Sequence, residues 1–355
     1  MSTTTLPQKQ KGVWFDPSGC SFREFDVTPP GPGEVLIKNV AVASNPKDWK
    51  YTRVWYDLVK WEGIEGNDVA GYVEAVGEGV TEFKKGDRVA AFTKMTQPHP
   101  KWGAYQQYST APLSTTFPLG ARTAFEDAAT LPLALGTAFI GLYRTLAIPP
   151  FITGDTKEKD KVKGKPILIY GASSSVGAYT VQLAKLSGLY VVGVAGSSAE
   201  YARSLGADVV VDYRGKTPEQ ISAEITKAVE GHGALHLVYD AVSTQSTRLI
   251  ELELLGKAGG GKLCSVLPWP EELKVPVGVE AVWTKCSATY EEDTEFAAKM
   301  YRALSPLVDS GLFKPNRVRI IPGGLAGVPK GVEMLGREEV SGEKLVYLVG
   351  DTPGL

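Results

Sequence analysis

The chain has 355 residues, 43% of them hydrophobic and 22% charged, with a formal net charge of -2. That length favours two domains, and the near-neutral balance argues against a nucleic-acid surface or a basic membrane face. Three cysteines far apart in sequence (Cys20, Cys264, Cys286) make no disulfide framework and suit a reducing, cytoplasmic setting.

The opening MSTTTLPQKQKG lacks the apolar core of a signal peptide, and no apolar run approaches the ~20 residues that span a bilayer. "EVLIKNVAVASNP" alternates as a strand and stops at Asn45-Pro46. "DVAGYVEAVGEGVTEFKKGDRVAAF" holds two short strands, glycine turns at Gly77 and Gly79, and a turn from Lys84 to Asp87. Short strands parted by turn residues predict a small β-barrel or a strongly curved sheet. Near residue 124 the texture becomes helical, with Pro132 placed to open the second of two helices. The lysine-rich "PPFITGDTKEKDKVKGK" reads as a solvated surface loop.

From residue 166 strands alternate with helices. The predicted strands are 167–170, 190–194, 209–211, 235–239, 262–266 and 278–283; the helices are 175–187, 198–205, 218–229 and 245–254. Such alternation implies a parallel sheet with right-handed crossovers, a doubly wound α/β domain. A helix over 293–309 and strands near 317–321 and 345–349 return to the first texture. The β-rich domain is therefore expected to use both chain ends, residues 1–134 and 289–355, with the α/β domain at 135–288.

"ILIYGASSSVGAYTVQLAKLSGLYVVGVAGSS" is strand, turn, helix, strand. In a dinucleotide unit, glycines let the backbone turn tightly and approach a pyrophosphate at a helix N-terminus. Here the three glycine positions fall on Ala172, Ser174 and Gly177, preceded by Gly171. Ser173, Ser174, Ser175 and Val176 would surround the phosphates; a serine-rich turn without ligand is the bland alternative. An NAD site carries Asp or Glu at the end of the second strand. That place holds Gly196, Ser197 and Ser198, with Tyr213 and Arg214 after the third strand. Neutral donors and a cation suit the extra phosphate of NADPH.

"NDVAGYVEAVGEGVTEFKKGDRV", "GASSSVGAYTVQLAK" and "LGADVVVDYR" together resemble the medium-chain dehydrogenase/reductase superfamily, over about residues 11–350. "SNPKDWK", "YDAVS" and "GGKLCSVLP" resemble its fungal enoyl-reductase-like branch, which includes trans-acting enoyl reductases serving polyketide synthases. The resemblance implies a GroES-like catalytic domain, a Rossmann cofactor domain and an active site in the cleft between them. It also implies a small α,β-unsaturated carbonyl substrate, free or held by a polyketide synthase carrier domain.

Zinc members of that superfamily carry a Cys–His–Cys/Asp set and often a four-cysteine lobe. The lobe is impossible with three scattered cysteines. The stretch matching the family's Gly-His-Glu reads Gly66-Asn67-Asp68, and the early cysteine position falls at or near Asn45. His232 and His236 are four apart, but Gly231 and Gly233 flank His232 and a strand is predicted from Leu235, so they read as loop and strand residues and no metal is expected. Zinc-free NADPH chemistry leaves reduction of a polarised C=C bond, with quinone reduction and a non-catalytic, cofactor-binding role as alternatives.

Site residues follow from the resemblance. Lys50 matches a family lysine near the nicotinamide and Thr137 a threonine at the cleft; both are expected to be catalytic. Lys47, Asp48, Val242, Leu267, Pro268, Lys344 and Leu345 are expected at the cofactor. Trp49, Trp55, Tyr56 and Trp283 are candidates for a bulky, apolar substrate pocket, domain core being the even alternative for the cluster after Lys50.

Overall fold

Residues 6–54, 62–97 and 99–355 are described by the computed structural model. The chain divides into two units: Met1–Leu133 with Ser287–Leu355, and Ala134–Cys286. Trp55 and Tyr56 lie outside the described residues.

The first unit is built on Glu34–Ala43, whose residues are buried on both faces. One neighbour is Asp68–Val76, followed outward by Arg88–Phe92 and Thr116–Pro118; the other is Lys344–Leu348, followed by Val318–Ile320. Tyr108–Pro112 also pairs with Glu34–Ala43. The register between Glu34–Ala43 and Asp68–Val76 slips at Leu36/Ile37 and at Asn39/Ala41. Such bulges increase the local twist, which accounts for the curvature expected of this region. A second, three-stranded sheet holds the hairpin Lys9–Asp16/Gly19–Asp26 and the short strand Gly63–Ile64. Val35, Ile37, Val69, Val89, Leu345 and Tyr347 lie at the heart of this unit's core.

The second unit is a six-stranded, all-parallel sheet. Across it run Val209–Asp212, Tyr190–Ala195, Pro166–Tyr170, Leu237–Asp240, Gly261–Ser265 and Val279–Trp283. In chain order these are the third, second, first, fourth, fifth and sixth strands, the Rossmann arrangement. The order reverses where Pro166–Tyr170 meets Leu237–Asp240, and in open α/β sheets ligands bind beyond the strand ends at such a switch point.

Three local readings change. The chain does not simply turn at Asn45-Pro46: a helix, Pro46–Arg53, starts there. Pro46 supplies a preset φ at the first helical position, and the Asp48 carboxylate accepts the Asn45 N–H (2.8 Å). The lysine-rich stretch contains a short helix, Thr156–Asp160, because Asp155 accepts from the Lys157 and Glu158 N–H groups. The helix predicted at 245–254 runs to 257, carried by buried Leu254 and Leu255. Among the described residues no helix is long and apolar enough to cross a membrane.

Candidate active site

In the first unit, Pro46–Arg53 carries four of the candidate residues. Lys47 Nζ lies 2.8 Å from Asp48 Oδ1 and 2.6 Å from Glu65 Oε2. Tyr105 donates to Asp48 Oδ2 (2.5 Å), and its hydroxyl shares a hydrogen bond with Ser44 Oγ (2.8 Å), which in turn meets the Tyr347 hydroxyl (2.7 Å). Burial pulls the Lys47 ammonium down, but Asp48 and Glu65 outweigh it and hold its pKa well above the usual value. Burial, backed by the Asp48 charge and opposed by Lys47, raises the Glu65 carboxyl. Burial and then Asp48 push the Tyr105 phenol well up. Lys47 and Asp48, expected at the cofactor, are thus engaged in a buried network whose other members, Glu65 and Tyr105, sequence reading did not find. Glu65 stands two residues before Asn67 in "GIEGND", and the Lys47 charge was the one signal that asked for a partner.

Lys50 differs from Lys47. It is half-buried, its ammonium sits 5.9 Å from the centre of the Trp49 ring, and burial lowers its pKa. A cation held in a partly desolvated place with a lowered pKa is suited to meet developing negative charge or to release a proton. Trp49, partly exposed, packs against the core and faces Gly336.

Lys344 and Leu345, also expected at the cofactor, are buried. Leu345 is in the core. Lys344 Nζ lies 2.7 Å from Asp68 Oδ2 and 2.6 Å from Asn45 Oδ1, with side chains 3% and 0% exposed for the ion pair. Asp68 further accepts from Asn45 Nδ2 (2.7 Å) and the Leu133 N–H (2.6 Å). A buried carboxylate needs a buried cation, and Lys344, expected at the cofactor, supplies it to Asp68.

In the second unit the first strand ends at Gly171, with φ +75°, where the chain turns into Ser175–Leu186. Ser174 caps that helix by accepting the Gly177 N–H (3.0 Å). A Cβ on Gly177 would lie 2.1 Å from the Gly171 carbonyl oxygen. The helix start therefore presses on the turn in a way no side chain permits, leaving an N-terminus ringed by Ser173, Ser174, Ser175 and Val176, all partly exposed. These residues fit a pyrophosphate by backbone N–H groups, hydroxyls and helix dipole.

At the second strand's end Ser197 is exposed, Ser198 partly so, and Tyr213 covers Gly196, where a Cβ would sit 2.7 Å from the Tyr213 hydroxyl. Arg214 does not stand as a lone cation: it grips the Asp212 carboxylate through Nε (3.0 and 3.1 Å) and Nη2 (2.6 Å). Those hydrogen bonds hold the Asp212 pKa down to about 2. A 2′-phosphate would have to share this guanidinium with Asp212.

The fourth and fifth strands end in two loops. Val242 is exposed and leans on Gly171, where a Cβ would meet it at 2.5 Å. The carbonyls of Leu267 and Pro268 accept from Arg248 Nη2 (3.0 and 2.9 Å). Thr137 lies on Pro132–Phe139, just before a wider π turn at Ile140–Thr145. Tyr239 donates to the Thr137 carbonyl (2.8 Å), and Gly141 makes room for its ring. Trp283, at the end of the sixth strand, is 40% exposed beneath the Lys285 ammonium.

Among the described residues no group of three His, Cys, Asp or Glu side chains is placed to hold a metal ion. Glu65 and Asp68 are paired with the Lys47 and Lys344 ammonium groups, and Asn67 donates to Thr93 Oγ1 (2.9 Å). Ammonium and amide nitrogens in these places are not zinc ligands.

A Rossmann sheet with a glycine–serine helix start, together with a curved, mostly antiparallel unit carrying buried lysines, defines a nicotinamide-dependent oxidoreductase class. The alcohol dehydrogenase GroES-like domain family matches residues 31–121, and the zinc-binding dehydrogenase family matches residues 175–285. The chain is 32% identical over 302 residues to trans-enoyl reductase fsr4 of Gibberella fujikuroi, covering 84% of this chain and 86% of that one. It is 35% identical over 330 residues to trans-enoyl reductase ACTTS2 of Alternaria alternata, covering 89% and 91%. An alcohol dehydrogenase superfamily protein from Novosphingobium aromaticivorans superposes with a TM-score of 0.79 at 25% identity, over 96% of this chain and 99% of that one. The chain belongs to the medium-chain dehydrogenase/reductase family.

Proposed function

We propose that this protein is a zinc-independent, NADPH-dependent reductase of the C=C bond in an α,β-unsaturated carbonyl or enoyl thioester. The observation that carries the reading is the identity to trans-enoyl reductases along most of the chain. The donor set of the first unit supports it, because a site without a zinc ligand set lacks the usual Lewis acid for alcohol oxidation. NADPH, when bound, supplies the hydride, which goes to the substrate β-carbon.

The chain's own residues then have two tasks. One is to hold the dinucleotide: Ser173, Ser174, Ser175 and Val176 at the pyrophosphate, Ser197, Ser198, Tyr213 and Arg214 at the 2′-phosphate, and Val242, Leu267 and Pro268 toward the nicotinamide. The other is to stabilise negative charge on the carbonyl oxygen as the β-carbon accepts hydride. Lys50 is the proposed cation for that enolate, and Thr137 a contact of the cofactor carboxamide. A solvent-derived proton then adds at the α-carbon, and the saturated carbonyl leaves. Trp283 is proposed to line the substrate's path, and a polyketide synthase carrier domain to present a thioester-bound chain.

The test is NADPH consumption against enones, enals, enoyl thioesters and quinones, with products identified. Saturated carbonyl products are expected. Hydroquinones as the sole products would replace this reading with quinone reduction. Cofactor choice is read separately: NADPH should bind more tightly than NADH, and Ser197→Asp should weaken NADPH selectively.

A further inference from the structure

Arg248 lies in the first turns of the helix Gln245–Lys257, which follows the fourth strand of the parallel sheet, and it is only 4% exposed. Taking a guanidinium out of water is costly, so what it touches matters. The nearest carboxylate on its own helix face is Glu251, three residues on. Neither oxygen of Glu251 has a hydrogen-bond partner among the described residues, so Arg248 is not spent on it. It reaches off the helix instead. Its Nη2 donates to the Leu267 carbonyl (3.0 Å) and to the Pro268 carbonyl (2.9 Å), and its guanidinium lies 5.0 Å from the centre of the Trp269 ring.

These contacts fall where the backbone has little else to hold it. The fifth strand ends at Ser265. Just beyond, the Val266 N–H is shared between the Asp240 carbonyl (3.2 Å) and Ser243 Oγ (3.0 Å), which ties the ends of the fourth and fifth strands together. Ser243 stands in a turn at φ +61°, fixed by the Asp240 carboxylate through the Val242 and Ser243 N–H groups (2.9 and 2.7 Å). The next peptide, Leu267–Pro268, has no N–H and can be held only through its carbonyl. That carbonyl takes the Ser265 hydroxyl (2.8 Å) as well as Arg248. The stretch 265–268 leaves the carboxyl end of a parallel strand, the edge at which such sheets bind ligands.

We infer that Arg248 is a positioning residue for the nicotinamide half of the dinucleotide: from a buried place on its helix it forks to the Leu267 and Pro268 carbonyls and fixes the strand end against which that half lies. The inference rests on the nicotinamide role proposed above for Leu267 and Pro268. Packing alone does not ask for this residue, since well-packed apolar side chains often replace buried ions without loss of stability. A planar fork that meets two carbonyls and lies on an indole ring is instead a means of setting geometry.

The test is calorimetric binding of two ligands to the full chain: NADPH, and adenosine 2′,5′-bisphosphate, which carries the adenosine and 2′-phosphate but no nicotinamide. Arg248→Met keeps much of the stem and removes the fork. It should weaken NADPH about tenfold, the loss of hydrogen bonds from a charged group, and leave the bisphosphate within about twofold. Arg248→Lys covers the case in which R248M does not fold. Its ammonium keeps the charge but not the planar fork, so the same split is expected at about threefold. Unchanged binding of both ligands, or an equal loss of both, would make Arg248 scaffolding and overturn the positioning role alone. A wild-type chain that bound NADPH no more tightly than the bisphosphate would overturn the nicotinamide reading of the strand end, and the inference with it. Binding of neither ligand by the wild type would overturn the dinucleotide reading itself.

Discussion

Replacing Lys344 by methionine separates a structural lysine from a cofactor-binding one. Methionine keeps much of the stem's length and apolar surface but removes the ammonium that lies 2.7 Å from Asp68 Oδ2 and 2.6 Å from Asn45 Oδ1. The pair is almost fully buried, and breaking such a pair by removing one partner costs about 3–5 kcal/mol because a charge is left uncompensated. Asp68 retains two hydrogen bonds, from Asn45 and from the Leu133 N–H, so the lower end, about 3 kcal/mol, is expected. The assay is urea denaturation followed by tryptophan fluorescence, with NADPH affinity measured on the folded protein. Stability should fall and affinity should stay within about twofold, a difference of only ~0.4 kcal/mol. Adding Asp68→Asn to K344M should recover more than half of the loss, since the orphaned charge is then gone. Unchanged stability with affinity weakened tenfold would refute the reasoning and return Lys344 to the cofactor.

Two other substitutions probe the remaining parts. Gly177→Ala should destabilise the second unit by about 1–3 kcal/mol, as overpacking does, and weaken NADPH, because its Cβ would fall 2.1 Å from the Gly171 oxygen; calorimetry with and without cofactor reads both effects. For Lys50, burial lowers the ammonium pKa, so a step that needs the charged form is supported at low pH and lost as pH rises through that lowered value. The pH profile of kcat should show this falling limb, and Lys50→Met should remove it while lowering kcat at least about tenfold; an unchanged profile would make Lys50 a surface residue.

The parallel unit was easy to read because its signals are local. Short continuous apolar runs, a glycine turn and a serine N-cap lie within a few residues of one another, and their alternation with helices implies right-handed crossovers. The first unit was less legible. The helix after Asn45 depends on a proline and an acid that also read as a turn, and the short lysine-rich helix depends on a single Asp155 cap. The roles of the lysines were least legible, because a lysine's role depends on which carboxylate reaches it. Lys47 finds Glu65 eighteen positions away, and Lys344 finds Asp68 from the far end of the chain. The Asp212 that shares the Arg214 guanidinium, two residues before it, was likewise not read as its partner.

The most direct test of the account uses NADPH deuterated at the transferred position of its nicotinamide ring, turned over with an enoyl thioester in ordinary water and then unlabelled NADPH in heavy water. The account predicts cofactor deuterium at the β-carbon and solvent deuterium at the α-carbon of a saturated thioester. Cofactor deuterium on the carbonyl carbon, giving an alcohol or aldehyde, would contradict it.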